Sequence, residues 1–396
     1  MTSVLDIQTQ VGVLGAGTMG AGIAQVAASA GHSVVVVDSH PPSIDRARDS
    51  LARSLAREIE QGRLTAEDAK YVERRLRFIA SVDDMSVFRE CGLVIEAIVE
   101  DLETKQRAFR QIETVVGAEC VLATNTSSLS VAAIASACKE RGRVIGLHFF
   151  NPPTVLPLVE VVGALTSDAD VVASARNLVN RWGKTTVIVR DTPGFIVNRV
   201  ARPFYGESLR IYEEGIADVA TIDWAMRECG GFKMGPFELM DLIGNDVNYA
   251  VTRSVFEAMY FDPRYRPSLT QKQMVDAGLL GRKTGAGYYN YDNGAERPKP
   301  NDDRKLAARI VDRVVAMLIN EAADALLLRV ASVEDIDLAM TKGVKYPKGL
   351  LAWADEIGVA KVYERLAALQ EEYGEDRYRP SALLKRMARE GRRFYS

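Results

Sequence analysis

The sequence predicts an α/β domain of the Rossmann type followed by two tandem all-α domains, and three observations carry that prediction. A buried-strand run, Gln10-Val-Gly-Val-Leu14, leads into Gly15-Ala16-Gly17-Thr18-Met19-Gly20 and then into an alanine-rich helical stretch. Short apolar runs alternate with helical patterns as far as Arg190, and beyond it the pattern is mostly helical. That helical part repeats itself at a fixed offset. A chain of 396 residues has room for two or three domains of the usual ~100–200 residues. The boundaries read as 1–190, 191–291 and 304–396, with the polar, proline-rich Asp292–Asp303 stretch as linker between the two helical copies.

The glycines of the first turn have separate tasks. Gly15 permits the tight turn, Gly17 lets a pyrophosphate approach the backbone, and Gly20 lets the helix pack close to the sheet, its N-terminus facing the negative charge. Gly31-His32-Ser33 then turns into a valine run that ends in Asp38, close to the ~20 residues expected between glycines and ribose-binding acid. A carboxylate there accepts both ribose hydroxyls and repels a 2′-phosphate, so the motif points to NAD rather than NADP. His32 and His40 read as structural, one in a turn and one beyond a strand end.

From Pro41 to Phe78 the pattern is helical and basic, with Arg46, Arg48, Arg53, Arg57, Arg74, Arg75 and Arg77 mostly on solvated faces. Leu93–Glu96 is the next strand, with Glu100 in its exit loop. Asp101–Val115 reads as an amphipathic helix carrying Lys105. Val121–Thr124 is another strand, ending in Asn125-Thr126-Ser127-Ser128. Polar residues at the carboxyl ends of parallel strands line the ligand crevice of such sheets. Ser127 is therefore either a site residue or only the cap of a helix over Leu129–Cys138.

His148 follows in Leu147-His148-Phe149-Phe150-Asn151-Pro152, with Glu160 twelve residues on. Val144–His148 and Leu158–Val162 both read as strands, and the Asn-Pro-Pro between them forces a break. Two strands joined this way place an imidazole beside a carboxylate, which fixes its tautomer and stabilises the imidazolium. The alternative is a hydrogen-bonded core histidine and a surface glutamate. Asp168–Trp182 reads as a helix and Thr185–Val189 as the last strand. Pro193, in Asp191-Thr-Pro-Gly-Phe-Ile-Val-Asn198-Arg199, suits a helix start.

In the repeat, Ile196-Val-Asn-Arg-Val200 matches Ile310-Val-Asp-Arg-Val314, and Ile222-Asp-Trp-Ala-Met226 matches Ile336-Asp-Leu-Ala-Met340, both offset by 114. Glu207 and Glu321, Gly235 and Gly349, Asp241 and Asp355, and Gly244 and Gly358 keep that offset, while Arg264-Tyr-Arg-Pro-Ser268 recurs at Arg377–Ser381, offset by 113. Asn198 becomes Asp312, and the Gly281-Arg-Lys283 segment shrinks to Gly391-Arg-Arg-Phe-Tyr, so the second copy reads as structural. Ile310, Val314, Met317, Leu318, Ala325 and Leu328 mark a buried helix face, either against the first copy or within the second.

Composition narrows the partners. Hydrophobic residues make up 47%, charged residues 26%, and the net charge is −3, which favours neither nucleic acid nor an anionic membrane. Cys91, Cys120, Cys138 and Cys229 are scattered, as in a reduced cytoplasmic protein without a disulfide frame or metal site. The first residues lack a basic segment followed by an unbroken apolar run, so neither a signal peptide nor a membrane span is expected.

Gly15–Gly20, Asn125–Ser128, His148–Pro152, Glu160, Asp191–Arg199, Met234-Gly-Pro-Phe-Glu-Leu and Gly281-Arg-Lys-Thr-Gly together resemble the L-3-hydroxyacyl-CoA dehydrogenases over residues 8–291, and the duplicated tail resembles members with two C-terminal domains. The resemblance implies oxidation of a 3-hydroxyacyl-CoA, with His148 as acid/base, Glu160 as its orienting partner, and Ser127 and Asn198 holding substrate oxygens. It implies NAD contacts at Asp38, Glu100, Lys105, Ser127, Asn151 and Lys283. Acyl-CoA contacts fall on Ser50, Ser127 and Arg57, where other members tend to have lysine at the last. It also implies that the two helical copies dock as an internal pseudo-dimer, with a homodimer through another surface still open. Two other readings share the fold: a dehydrogenase of a small non-CoA hydroxyl compound such as carnitine or a sugar acid, and a non-catalytic dinucleotide-binding protein.

Overall fold

The valine-rich runs of the first half pair into one sheet in the computed structural model, which describes residues 5–80, 84–292 and 294–395. Its strands are β1 (Val11–Leu14), β2 (Val34–Asp38), β3 (Leu76–Ala80), β4 (Leu93–Glu96), β5 (Val121–Thr124), β6 (Val144–Phe149), β7 (Leu158–Gly163) and β8 (Thr185–Arg190). They lie in the order β3-β2-β1-β4-β5-β6-β7-β8. The order turns around between β1 and β4, which opens a crevice at the carboxyl ends of those strands. β1, β4 and β5 are wholly buried, as their unbroken apolar runs require in a sheet covered on both faces.

All neighbouring strands run parallel except β6 and β7. The connection between those two is too short for a crossover of a dozen or more residues, so the chain can only return antiparallel. β3 departs from the sequence reading, which carried the helical pattern through Phe78. Helices Pro41–Glu60 and Ala66–Arg75 end first, and Leu76–Ala80 pairs with β2 at the sheet edge. An edge strand only partly buried, with Arg77 as the second of its five residues, has little periodic signal to read.

His32 is structural, as the sequence suggests. It is buried, its Nδ1 lies 2.8 Å from the Thr9 carbonyl, and Trp182 Nε1 donates to its Nε2 at 2.8 Å. Those two partners define a neutral ring that donates from Nδ1 and accepts at Nε2.

The compact unit containing the sheet extends to Phe195, five residues past the boundary read at Arg190. Asp191 is the reason: its Oδ2 accepts from Ser130 Oγ and from the Ala132 amide, both at 2.8 Å. Pro193 lies in a turn, and the first helix of the second unit is Val197–Val200.

The second unit, from Ile196 onward, is helical and holds both copies of the repeat. Each copy is pinned by the same buried aspartates. Asp223 accepts from the Phe237 and Glu238 amides, and Asp337 accepts from those of Leu351 and Ala352. Asp241 and Asp355 likewise hold the Tyr288-Tyr289 and Phe394-Tyr395 amides. Gly235 and Gly349 are required, because a Cβ at either would meet its aspartate at about 2.3–2.4 Å.

Contacts across the repeat are reciprocal. Arg199 Nε donates to Glu321 at 2.6 Å, and its counterpart Arg313 donates to Glu207, the counterpart of Glu321, at 2.5 Å. The Tyr265 and Tyr378 hydroxyls donate to the same two glutamates at 2.5 and 2.8 Å. Asp262–Arg379 and Glu375–Arg266 form a second such couple. Ile310, Val314, Met317, Leu318 and Ala325 are buried, but Leu328, at the end of helix Arg304–Leu327, is 48% exposed.

Burial, opposed by the Thr9 carbonyl, pulls the His32 pKa below its ordinary 6.5. The unfolded chain then binds this proton more readily than the folded one, so the contribution of His32 is complete above pH 6.5 and is lost as pH falls through the lowered folded value. Melting temperatures measured from about pH 8 to 5 are expected to fall below that point. His32→Gln, less stable throughout, should flatten that fall; an unchanged slope would contradict the assignment.

Candidate functional site

β1 feeds a turn in which Gly15 has φ +103°, and a Cβ there would meet the Ala97 carbonyl oxygen at 2.5 Å. At Gly20 a Cβ would meet the Gly15 carbonyl oxygen at 1.9 Å. Gly17 differs, because a Cβ there meets nothing within 4 Å. Its bareness serves open space beside the turn, where a diphosphate needs close backbone approach. Helix Thr18–Ser29 begins there with no side-chain cap, leaving its first amides for an anion. Asp38, at the end of β2, is fastened to the turn: its Oδ2 accepts from the Ala16 amide at 2.7 Å and its Oδ1 from His40 at 2.8 Å. The residues present therefore fit a dinucleotide without a 2′-phosphate.

The end of β4 supplies a residue the sequence reading passed over. Glu96 is fully buried and accepts from Lys105 Nζ at 2.6 Å, Thr124 Oγ1 at 2.8 Å and the Ile98 amide at 2.7 Å. Its signal was an acid closing an apolar strand, as at Asp38. Lys105, 1% exposed, lies between Glu96 and Glu100, 3.3 Å from the latter, and so reaches the crevice only through Glu100. Glu100 Oε1 in turn accepts from Thr126 Oγ1, the Ser127 and Ser128 amides and Ser128 Oγ at 2.6–3.2 Å. Burial would raise the Glu100 pKa, but Lys105 and these donors together hold it below the usual carboxylate range. Ser127 does not cap the following helix, which spans Val131–Ala135 and takes Ser130 as its N-cap.

On β6 and β7, His148 and Glu160 are directly opposed in register. The imidazole Nδ1 stands 2.7 Å from Glu160 Oε2, and the two residues are 6% and 0% exposed. A carboxylate only accepts, so Nδ1 carries the proton and the Nε2 lone pair is left for chemistry. Phe150 and Phe195 flank the ring at centroid distances of 4.5 and 5.7 Å. Asn125, which the sequence reading left without a role, accepts from the Phe149 amide at 2.9 Å and ties the β5 exit to the histidine strand.

The structure thus assembles three groups: Gly15–Gly20 with Asp38, Glu100 with Lys105 and Ser127, and His148 with Glu160. Asn151 is exposed just beyond β6. Ser50 and Arg57 are exposed on helix Pro41–Glu60, seven residues apart and so on one face. Asn198 and Lys283 belong to the helical unit. Asn198 is half-buried in Val197–Val200, and the Lys283 ammonium pairs with both Asp246 oxygens at 2.5 and 2.7 Å. No group of three or more potential metal ligands occurs among the described residues, and no helix there is long and apolar enough to cross a membrane.

The family model for the 3-hydroxyacyl-CoA dehydrogenase NAD binding domain matches residues 10–192, and that for the 3-hydroxyacyl-CoA dehydrogenase C-terminal domain matches both 194–291 and 310–393. The chain is 40% identical to the 3-hydroxyadipyl-CoA dehydrogenase of Escherichia coli, over 97% of this chain and 98% of that protein. It is 39% identical to the human mitochondrial hydroxyacyl-coenzyme A dehydrogenase, over 72% of this chain and 92% of that one. A crystal structure of 3-hydroxybutyryl-CoA dehydrogenase from Escherichia coli superposes with a TM-score of 0.91 at 39% identity, covering 97% of this chain and 98% of that one. A glycine turn closed by Asp38, a buried His–Glu pair and these likenesses agree: the chain belongs to the 3-hydroxyacyl-CoA dehydrogenase family, enzymes that oxidise 3-hydroxyacyl-CoA with NAD.

Proposed function

We propose that His148 is the acid/base of the dehydrogenase reaction and Glu160 its orienting partner, an assignment carried by their opposed register and 2.7 Å contact. NAD, when bound, supplies the hydride acceptor for C3 of the substrate. His148 Nε2 takes the proton of the C3 hydroxyl, and Glu160 stabilises the resulting imidazolium through Nδ1. Ser127 and Asn198 hold the C3 oxygen or the thioester carbonyl. Asp38 holds the adenosine ribose, Gly15–Gly20 the diphosphate, and Glu100, kept charged by Lys105, holds the cofactor's other half with Ser127, Asn151 and Lys283. Ser50 and Arg57 face the CoA moiety. The names of the relatives divide between an acyl group with a second carboxylate, adipyl, and one without, butyryl. NADH formation across a panel of 3-hydroxyacyl-CoAs, carnitine and sugar acids tests the substrate class, and activity confined to the non-CoA compounds would refute it.

Within the helical unit, the reciprocal Arg199–Glu321 and Arg313–Glu207 pairs support an internal pseudo-dimer, since mutual exchange of contacts is the mark of a twofold interface. The boundaries 191–291 and 304–396 then delimit a working copy and a supporting one. All four cysteines are free thiols, which suits a reducing compartment, and we assign the chain to the cytoplasm.

His148→Gln should retain NAD binding and lower turnover by roughly 10²–10⁴-fold. Glu160→Gln should act through the same group, so the double variant should be no slower than the worse single one; fully multiplicative losses would separate the two roles.

Asp38→Ser should narrow the preference for NAD by relieving repulsion of a 2′-phosphate, read as the ratio of kcat/KM for the two cofactors. Equal use of both by the unmodified protein would contradict the assignment of Asp38.

Removing residues 304–396 takes Glu321 and Asp324 away from Arg199 and Arg264 and uncovers the face of the first copy that packed against the second, and a large apolar face newly open to water favours association. Aggregation or a new dimer is expected by light scattering, with activity falling. A soluble, fully active monomer would remove the pseudo-dimer.

A further inference from the structure

Arg202 opens the helix Arg202–Glu213 and is only 8% exposed. Other buried arginines of the helical unit have acids acting on them: Glu321 on Arg199, Glu321 and Asp324 on Arg264, Glu207 on Arg377. Arg202 has none among the described residues. Its Nη1 donates to Thr252 Oγ1 at 3.1 Å and its guanidinium stands 5.0 Å over the Tyr205 ring. Its Nε and the hydroxyl of Tyr346 are buried without a hydrogen-bond partner. The Tyr346 ring packs on Phe204, two residues along. A guanidinium withdrawn from water with no counter-charge is strongly unfavourable. Burial accordingly lowers its pKa.

The fold does not require this cation. At the repeat offset of 114 the second copy has Ala316, itself buried in helix Arg304–Leu327. That copy builds the same aspartate-pinned framework with a methyl group in place of the guanidinium. Arg202 is therefore retained in the working copy at a cost the supporting copy avoids.

Its position says what would compensate the charge. Arg202 follows Asn198 by four residues, and the Val197–Val200 turn runs on through Ala201, whose amide donates to the Val197 carbonyl at 3.0 Å. The two residues consequently share one helix face, Arg202 about 6 Å further along. An acyl chain held near C3 by Asn198 and running along that face reaches the guanidinium after about three carbon–carbon bonds. We propose that Arg202 is a specificity-determining residue that binds the terminal carboxylate of a dicarboxylic 3-hydroxyacyl-CoA of about six carbons, with the Tyr346 hydroxyl as second donor. This rests on the assignment of Asn198 to the substrate.

The test is kcat/KM of the full-length protein with NAD for 3-hydroxyadipyl-CoA and for 3-hydroxyhexanoyl-CoA, which has the same length without the carboxylate. The unmodified protein should prefer the adipyl substrate by roughly 10²-fold or more, as expected when a buried charge finds its partner. In Arg202→Met that ratio should fall toward one, and Arg202→Lys should restore part of it. Equal kcat/KM for the two substrates in the unmodified protein, a measurement that needs no variant to fold, would overturn the proposal, as would a ratio unchanged in Arg202→Met. Turnover of hexanoyl but not adipyl substrate sinks the carboxylate anchor and leaves the dehydrogenase reading standing. Turnover of neither, nor of the shorter 3-hydroxybutyryl-CoA, sinks both.

Discussion

The antiparallel return of β7 along β6 is the constraint on which the His148–Glu160 pair depends. Cross-strand partners in such a pair sit with their Cβ atoms roughly 5 Å apart on one face, which leaves an imidazole and a carboxylate within hydrogen-bonding reach. A slip of one residue would turn Glu160 to the other face of the sheet. The register that orients His148 is thus the one that buries Leu147, Val159 and Val161, so sheet stability and the geometry of the proposed acid/base pair are specified together.

Carboxylates recur as organisers. Asp38 secures the glycine turn, Glu100 the Thr126–Ser128 turn, Asp191 the start of the Val131–Ala135 helix, Asp223 the start of helix Pro236–Ile243, and Asp241 the Tyr288-Tyr289 loop. Each accepts backbone amides that would otherwise be left unpaired at a chain reversal. Hydrogen bonds to a charged acceptor are roughly twice as strong as neutral ones, and here they hold loops in the place of regular structure. A loop so held is preorganised for ligand contact, although its residues belong to no helix or strand.

Much of this was legible in the chain because it depends on local pattern. The glycine turn, Asp38, the strands from β4 to β8 and the two-copy tail all announce themselves by spacing or periodicity. What escaped depends on tertiary partners. β3 is an edge strand interrupted by Arg77. Glu96 reads only as the end of a strand, because the Lys105 ammonium that folds back on it is a tertiary partner. That Ser130 and not Ser127 caps the Val131–Ala135 helix goes with Asp191, sixty-one residues from Ser130 in sequence, closing on the same helix start. Arg202 carries no signal in the chain, because its lack of an acid partner is set by the fold.

The reciprocal contacts of the helical unit are not fully mutual, and the departure is informative. Arg264 meets Asp324 at 2.5 Å, but the counterpart couple is Arg377 with Arg210, two like charges, relieved by Glu375 bonding to Arg210. In an assembly of identical chains every change is written twice, so a charge reversal on one side is a reversal on both. Tandem fusion lifts that condition. Each position across the repeat can drift alone, and one half can carry a costly residue that the other has discarded.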